Sequence, residues 1–267
     1  MAEAFDTTKA DNIATVTLTQ MTMKPAFFEE CEQVFRELAD DDQLRAIVVN
    51  AAGKGFSYGL DLGAAFANFG SMLTDGGSVL PRTRLHAEIL RLQKSFNAIA
   101  ESPVPVIAAV HGWCIGGGLD LISACDIRVA SACAKFSLRE TRIAIVADLG
   151  SLQRVPRIIG EGHARELAFT GKDIDAEYAK RIGLVNDVYA DPDAVKRAAH
   201  ELAAQIAANP PLTVRGVKNV LDYSADKSVR EGLEYVAAWN SAFLATEDLV
   251  EAATAFAQKR DPEFKGR

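Results

Sequence analysis

The feature that most constrains this chain is a nearly continuous apolar run at residues 104–110. It leads into His111-Gly112-Trp113-Cys114-Ile115-Gly116-Gly117-Gly118-Leu119-Asp120. A strand without polar alternation is buried on both faces, so its sheet must be covered on both sides. The glycines that follow let another backbone or a ligand come close, and free N–H groups at a helix start attract negative charge. Close helix–strand packing would also use glycine, but three in a row exceed what packing demands. The segment is neither G-x-G-x-x-G nor a P-loop, because it lacks the spacing and the Lys-Ser/Thr pair.

The rest of the chain fits an α/β core. Ala14, Val16 and Leu18 alternate with threonines as in a half-buried strand. Phe27, Phe28, Cys31, Val34, Phe35 and Leu38 recur at helical spacing just inside Pro25. Residues 46–49 read as a short strand, and 85–99 as a long amphipathic helix ending before Pro103. Short strands are expected at 127–130 and 135–138, with a short helix at 119–124. Residues 68–83, rich in turn formers such as Gly70, Gly76, Gly77 and Pro81, read as a long loop over a site. A helix around Val195, Ala199, Leu202 and Ile206 is followed by Asn209-Pro210-Pro211 and three helical stretches near 212–223, 228–245 and 247–259. The expected division is an α/β core at 1–208 and a helical region at 209–267.

A second loop, Gly53-Lys54-Gly55-Phe56-Ser57-Tyr58-Gly59-Leu60-Asp61, contains the G-x-S-x-G pattern of a nucleophile elbow. It suggests either a serine hydrolase with Ser57 as nucleophile, a tight glycine turn, or a loop exposing the Leu60 N–H as an oxyanion donor. Three acids complete the candidates. Asp120 lies where a helix dipole favours an acid, Asp148 where it could cap a helix, and Glu140 between Arg139 and Arg142 where a surface ion pair would explain it. His86, His111, His163 and His200 are scattered and form no specific triad with Ser57.

A net charge of −7 argues against a nucleic-acid partner. No apolar run approaches the roughly 20 residues of a membrane span. The polar N-terminus and the ending Lys265-Gly266-Arg267 carry no recognisable address, so a cytoplasmic location is the expectation. Cys31, Cys114, Cys125 and Cys133 form no C-x-x-C pair and have no histidine at ligand spacing, so neither a structural zinc nor any other metal is expected.

Taken together, three stretches resemble the crotonase family of enoyl-CoA hydratases and isomerases. They are 53–62, 111–120 together with Ala124-Cys125-Asp126-Ile127-Arg128, and Ala179-Lys180-Arg181-Ile182-Gly183-Leu184-Val185. Within the family, Ala147-Asp148-Leu149-Gly150-Ser151-Leu152-Gln153-Arg154-Val155-Pro156 and Tyr235-Val236-Ala237-Ala238-Trp239-Asn240 are most similar to the branch that isomerises dienoyl thioesters. Met21-Thr22-Met23-Lys24-Pro25-Ala26 departs from the Lys-Arg-Asn-Ala-Leu-like stretch usual at the coenzyme A edge. The resemblance implies a spiral of ββα units whose C-terminal helices build homo-trimers or hexamers. It implies an acyl-CoA substrate, with coenzyme A entering only as part of that substrate and no other cofactor. An oxyanion hole would come from Leu60 and Gly117, with substrate contacts along Ser57, Tyr58, Gly59, Leu60, Asp61 and Gly117. Asp120, Glu140 and Asp148 would be the catalytic acids, shifting a proton to turn 3,5-dienoyl-CoA into 2,4-dienoyl-CoA. The alternatives are 2-enoyl-CoA hydration, Ser57 hydrolysis, or a catalytically silent scaffold that binds or assembles.

Overall fold

A computed structural model describes residues 4–74 and 79–267. The main sheet contains β1 (Phe5–Ala10), β2 (Ile13–Leu18), β3 (Ala46–Ala51), β4 (Val106–Val110), β6 (Ile127–Ser131) and β9 (Asp187–Tyr189). They lie side by side in that order, with β1–β2 an antiparallel hairpin and every later pairing parallel. A smaller sheet joins β5 (Trp113–Ile115), β7 (Lys135–Ser137) and β8 (Ile174–Asp175).

Every residue of β3 and β4 is buried. One face of the sheet meets α1 (Pro25–Ala39) and the C-terminal half of α3 (Val79–Ala100), through Phe27, Phe28, Phe35, Phe96 and Ile99. The other face meets α8 (Pro192–Ala207), whose Val195, Ala199 and Ala203 pack on Val48, Ile107 and Val129. Each fully buried Phe or Val side chain contributes about 1.5–3 kcal/mol by leaving water. This two-sided cover is what the unalternating run at 104–110 requires.

The edge strand β1 has one buried residue, Phe5, and no alternation to reveal it beforehand. The expected loop at 68–83 is corrected. Residues 68–74 belong to α2 (Leu62–Thr74) and residues 79–83 to α3, while Gly76 and Gly77 lie outside the described residues. Asp61 starts α2 by accepting from the Ala64 N–H at 3.0 Å. Alanines carry the helix past Gly70, a glycine costing about 1 kcal/mol. Pro81 falls in the first turn of α3, where its missing N–H has no partner to lose.

The glycine segment opens α4 (Gly117–Ser123). Beyond β7 come a 3-10 turn at Glu140–Ile143, then α5 (Ser151–Ile159), α6 (Glu161–Thr170) and α7 (Ala176–Arg181). The last helices are α9 (Pro211–Ser224), α10 (Val229–Phe243) and α11 (Glu247–Gln258), close to the expected stretches. Lys218 of α9 reaches Asp126 at the foot of β6 at 2.7 Å, tying these helices to the sheet. No helix among the described residues is long and apolar enough to cross a membrane.

Candidate active site

The two glycine-rich loops are bound to each other by backbone. The N–H groups of Phe56 and Ser57 donate to His111 and Trp113, and the Ile115 N–H donates to Ser57. Gly59 (φ +78°) lies so close that a Cβ there would sit 2.8 Å from the Ile115 oxygen and 3.1 Å from the Gly117 nitrogen. Only glycine permits both that backbone angle and that approach.

Two N–H groups are left over. Met23 and Asp61 donate on either side of Leu60, but the Leu60 N–H takes no acceptor among the described residues. Gly117 is the first residue of α4, where an N–H has no intrahelical partner. The Leu60 nitrogen lies 3.8 Å from where a Gly117 Cβ would be. Both residues line one cavity of about 260 Å³.

Asp120, Glu140 and Asp148 line the same cavity. Asp120, on α4 and only 2% exposed, accepts from the Ser151 N–H at the start of α5 at 2.6 Å. Burial pushes its carboxyl up to about 6, against hydrogen bonding from Ser151, and the nearby Asp148 adds to the rise. Glu140 opens the 3-10 turn, with Oε1 2.8 Å from where a Gly116 Cβ would stand. Its Oε2 is buried with no partner, and burial, then Asp120 and Asp148, push the carboxyl up to about 7. Asp148 is half-buried, and burial raises it as well.

Asp120 does sit in the first turn of α4, but the simpler explanations for Glu140 and Asp148 fail locally. Arg139 forks onto Asp173 at 2.7 Å and lies over the Trp113 ring, while Arg142 turns to the Thr170 carbonyl, so neither pairs with Glu140. Asp148 caps nothing, since the residue preceding α5 is Gly150, without a side-chain cap. Among the described residues, no cluster of His, Cys, Asp or Glu could hold a metal ion.

Tyr58 and Gly59 also line the cavity; Ser57 and Asp61 do not. Ser57 is 1% exposed, and its Oγ accepts from the Gly59 N–H at 3.0 Å, fixing the turn. No histidine among the described residues is placed to activate it: His86 is exposed on α3, His111 bonds Gly53, His163 packs on Tyr178, and His200 meets Thr15. Buried and engaged, Ser57 is not a nucleophile elbow. Asp61 serves as the cap of α2. The apolar wall, including Phe28, Leu62, Ile143, Ile145 and Leu149, was not read from the sequence. Its only early signal was the apolar run Ile143-Ala144-Ile145-Val146 amid charges, three of the four being exposed large side chains with no core to join.

Unpaired amides beside proton-affine carboxylates, in a cavity with an apolar wall, define a class of enzyme site. It is suited to holding negative charge on a carbonyl oxygen while protons move on neighbouring carbon. Residues 8–267 match the family described as enoyl-CoA hydratase/isomerase, and the chain belongs to that family. It is 43% identical over 248 residues to the mitochondrial Delta(3,5)-Delta(2,4)-dienoyl-CoA isomerase of Dictyostelium discoideum, covering 91% of this chain and 83% of that one. It is 42% identical to the peroxisomal enzyme of the same name from Arabidopsis thaliana, covering 89% and 86%. Among solved structures, an enoyl-CoA hydratase from Bacillus anthracis superposes with a TM-score of 0.88 at 29% identity, covering 99% of this chain and all of the other. The expected crotonase-type α/β fold is thereby established.

Proposed function

We propose that this enzyme isomerises 3,5-dienoyl-CoA to 2,4-dienoyl-CoA. The observation that carries the reading is a third acid, Asp148, on the cavity that already holds Asp120, Glu140 and the Leu60 and Gly117 amides. The names of the relatives at about 40% identity support it.

The thioester oxygen sits between the two N–H groups, which acidifies C2 because the charge left by its proton spreads onto that oxygen. Each such preorganised donor is worth about 3–4 kcal/mol. Glu140, deprotonated, takes the C2 proton. The electron pair moves through the conjugated system, the double bonds shift from 3,5 to 2,4, and protonated Asp148 delivers a proton to C6. Asp120 tunes Glu140, since neighbouring carboxylates in a poorly solvated pocket raise one another's proton affinity. The acyl chain lies along Phe28, Leu62 and Ile145. Coenzyme A enters as part of the substrate, and no step calls for a metal or redox group.

Hydration of 2-enoyl-CoA by Asp120 and Glu140 is the second reading, favoured by a methylglutaconyl-CoA hydratase of Mus musculus at 36% identity over 72% of the chain. Incubation with 3,5-dienoyl-CoA should yield conjugated 2,4-dienoyl product faster than crotonyl-CoA is hydrated. Comparable hydration would favour the second reading, and normal isomerisation by Asp148→Asn would remove the role of Asp148.

The remaining parts of the reading concern context. The helical region at 209–267 exposes Leu221, Leu233, Phe243 and Val250, an apolar surface suited to a homo-trimer or hexamer. A cytoplasmic location fits four free cysteines, three of them buried, although the two relatives above are named mitochondrial and peroxisomal.

A further inference from the structure

Asp148 lies on a connecting segment, yet its proposed task demands placement to within a fraction of an ångström. What fixes it comes from α3. Gln93 Nε2 donates to the Asp148 carbonyl at 2.7 Å. One turn further on, Asn97 Oδ1 accepts from Arg154 Nη2, also at 2.7 Å. Arg154 in turn lies flat against Gly150, where a Cβ would be 1.9 Å from Nη1, and Nη1 reaches back to the Leu149 carbonyl at 3.4 Å. Gly150 has a φ of +123°, so the segment depends on these grips to hold a conformation few residues adopt. Residues four apart share a helix face, and this face sits on the firmly packed half of α3, beside buried Leu92, Phe96 and Ile99.

We propose that Gln93 and Asn97 are positioning residues that hold segment 148–154 against the cavity, and so place the Asp148 carboxylate at the far end of the proton shift. The inference rests on the isomerase reading given above. Neither residue lines the cavity, so neither touches substrate. Their action is separable from that of Glu140, which is anchored on the other side through Thr141 Oγ1 to the Ala168 carbonyl at 2.6 Å.

The test compares wild type, Gln93→Met, Asn97→Ala and Asn97→Asp in two assays: conversion of 3,5-dienoyl-CoA, and deuterium uptake at C2 in heavy water. Gln93→Met should lower kcat about tenfold and Asn97→Ala about threefold, with KM within about twofold, the scale expected when a reacting group is displaced by a fraction of an ångström. Deuterium uptake at C2 should stay within about twofold of wild type, and Asn97→Asp, which keeps an acceptor for Arg154, should recover normal kcat. Equal loss in both assays, or no loss of kcat in either variant, overturns the proposal. If Gln93→Met does not fold, the exposed Asn97 pair decides alone. Wild type that makes no 2,4-dienoyl product overturns the isomerase reading itself, whereas normal wild-type turnover with unaffected variants overturns only the role of Gln93 and Asn97.

Discussion

The chain treats its structural and its cavity acids in two ways. Asp126 Oδ2 accepts from the Val106 N–H and from Lys218, each at 2.7 Å, and Lys218 is itself buried. Asp248, 3% exposed, accepts from the Lys265 and Gly266 N–H groups at 2.7 and 2.8 Å. Asp126 ties α9 to the sheet and Asp248 ties residues 265–266 to α11, and each is satisfied. Around the cavity Glu140 shows the opposite. Its Oε2 has no partner, and burial, then Asp120 and Asp148, raise its proton affinity. Burying an unpaired carboxyl costs stability, so its presence marks a position kept for chemistry.

The largest effect that would break this contrast is loss of Glu140. Glu140→Gln should lower kcat by about 10²–10⁴, the usual worth of a general base, without loss of stability at neutral pH. Lys218→Met should do the reverse. It leaves Asp126 without its cation but in contact with water, and should cost about 1 kcal/mol in urea unfolding, with kcat per folded molecule unchanged. A loss of activity without loss of stability would put Lys218 in the wrong group. Smaller again is the pH dependence of kcat/KM. Glu140 must be ionised to take a proton, so its limb should rise with pH through about 7 and shift or vanish in Glu140→Gln. The smallest expected effect is at Ser57: a fluorophosphonate should leave it unlabelled, since its hydroxyl is buried against the Gly59 N–H.

Much of the scaffold was legible because its signals are local. The unalternating run at 104–110, the helical spacing from Phe27 to Leu38 and the glycines beside Leu60 and Gly117 each report a physical demand made within a few residues. The acids were not legible in that way. Between Arg139 and Arg142, Glu140 looks like half of a surface pair until long-range contacts draw those arginines to Asp173 and Thr170. Asp148 looks like a cap until Gly150 takes that place. Only the family resemblance put these acids together in advance, because what unites them is the tertiary meeting of α4, the 3-10 turn and the segment before α5. The helix across 68–74 was hidden for a related reason, since Gly70 sat where an aspartate cap and alanines outweighed it, and Pro81 at 79–83 reads as a turn former although an early helical position accepts it.

The contrast between paired and unpaired acids is tested most directly by the pH dependence of unfolding in wild type and Glu140→Gln. A carboxyl raised from 4.5 to about 7 in the folded state binds more protons there than in the unfolded chain. Its penalty is therefore absent below about pH 4.5, grows as pH rises, and is complete above about pH 7. The variant should match wild type near pH 4.5 and exceed it by on the order of 1–3 kcal/mol at pH 8. Parallel stability curves, or a variant less stable than wild type at pH 8, would show that Glu140 is satisfied in the folded protein and contradict the account.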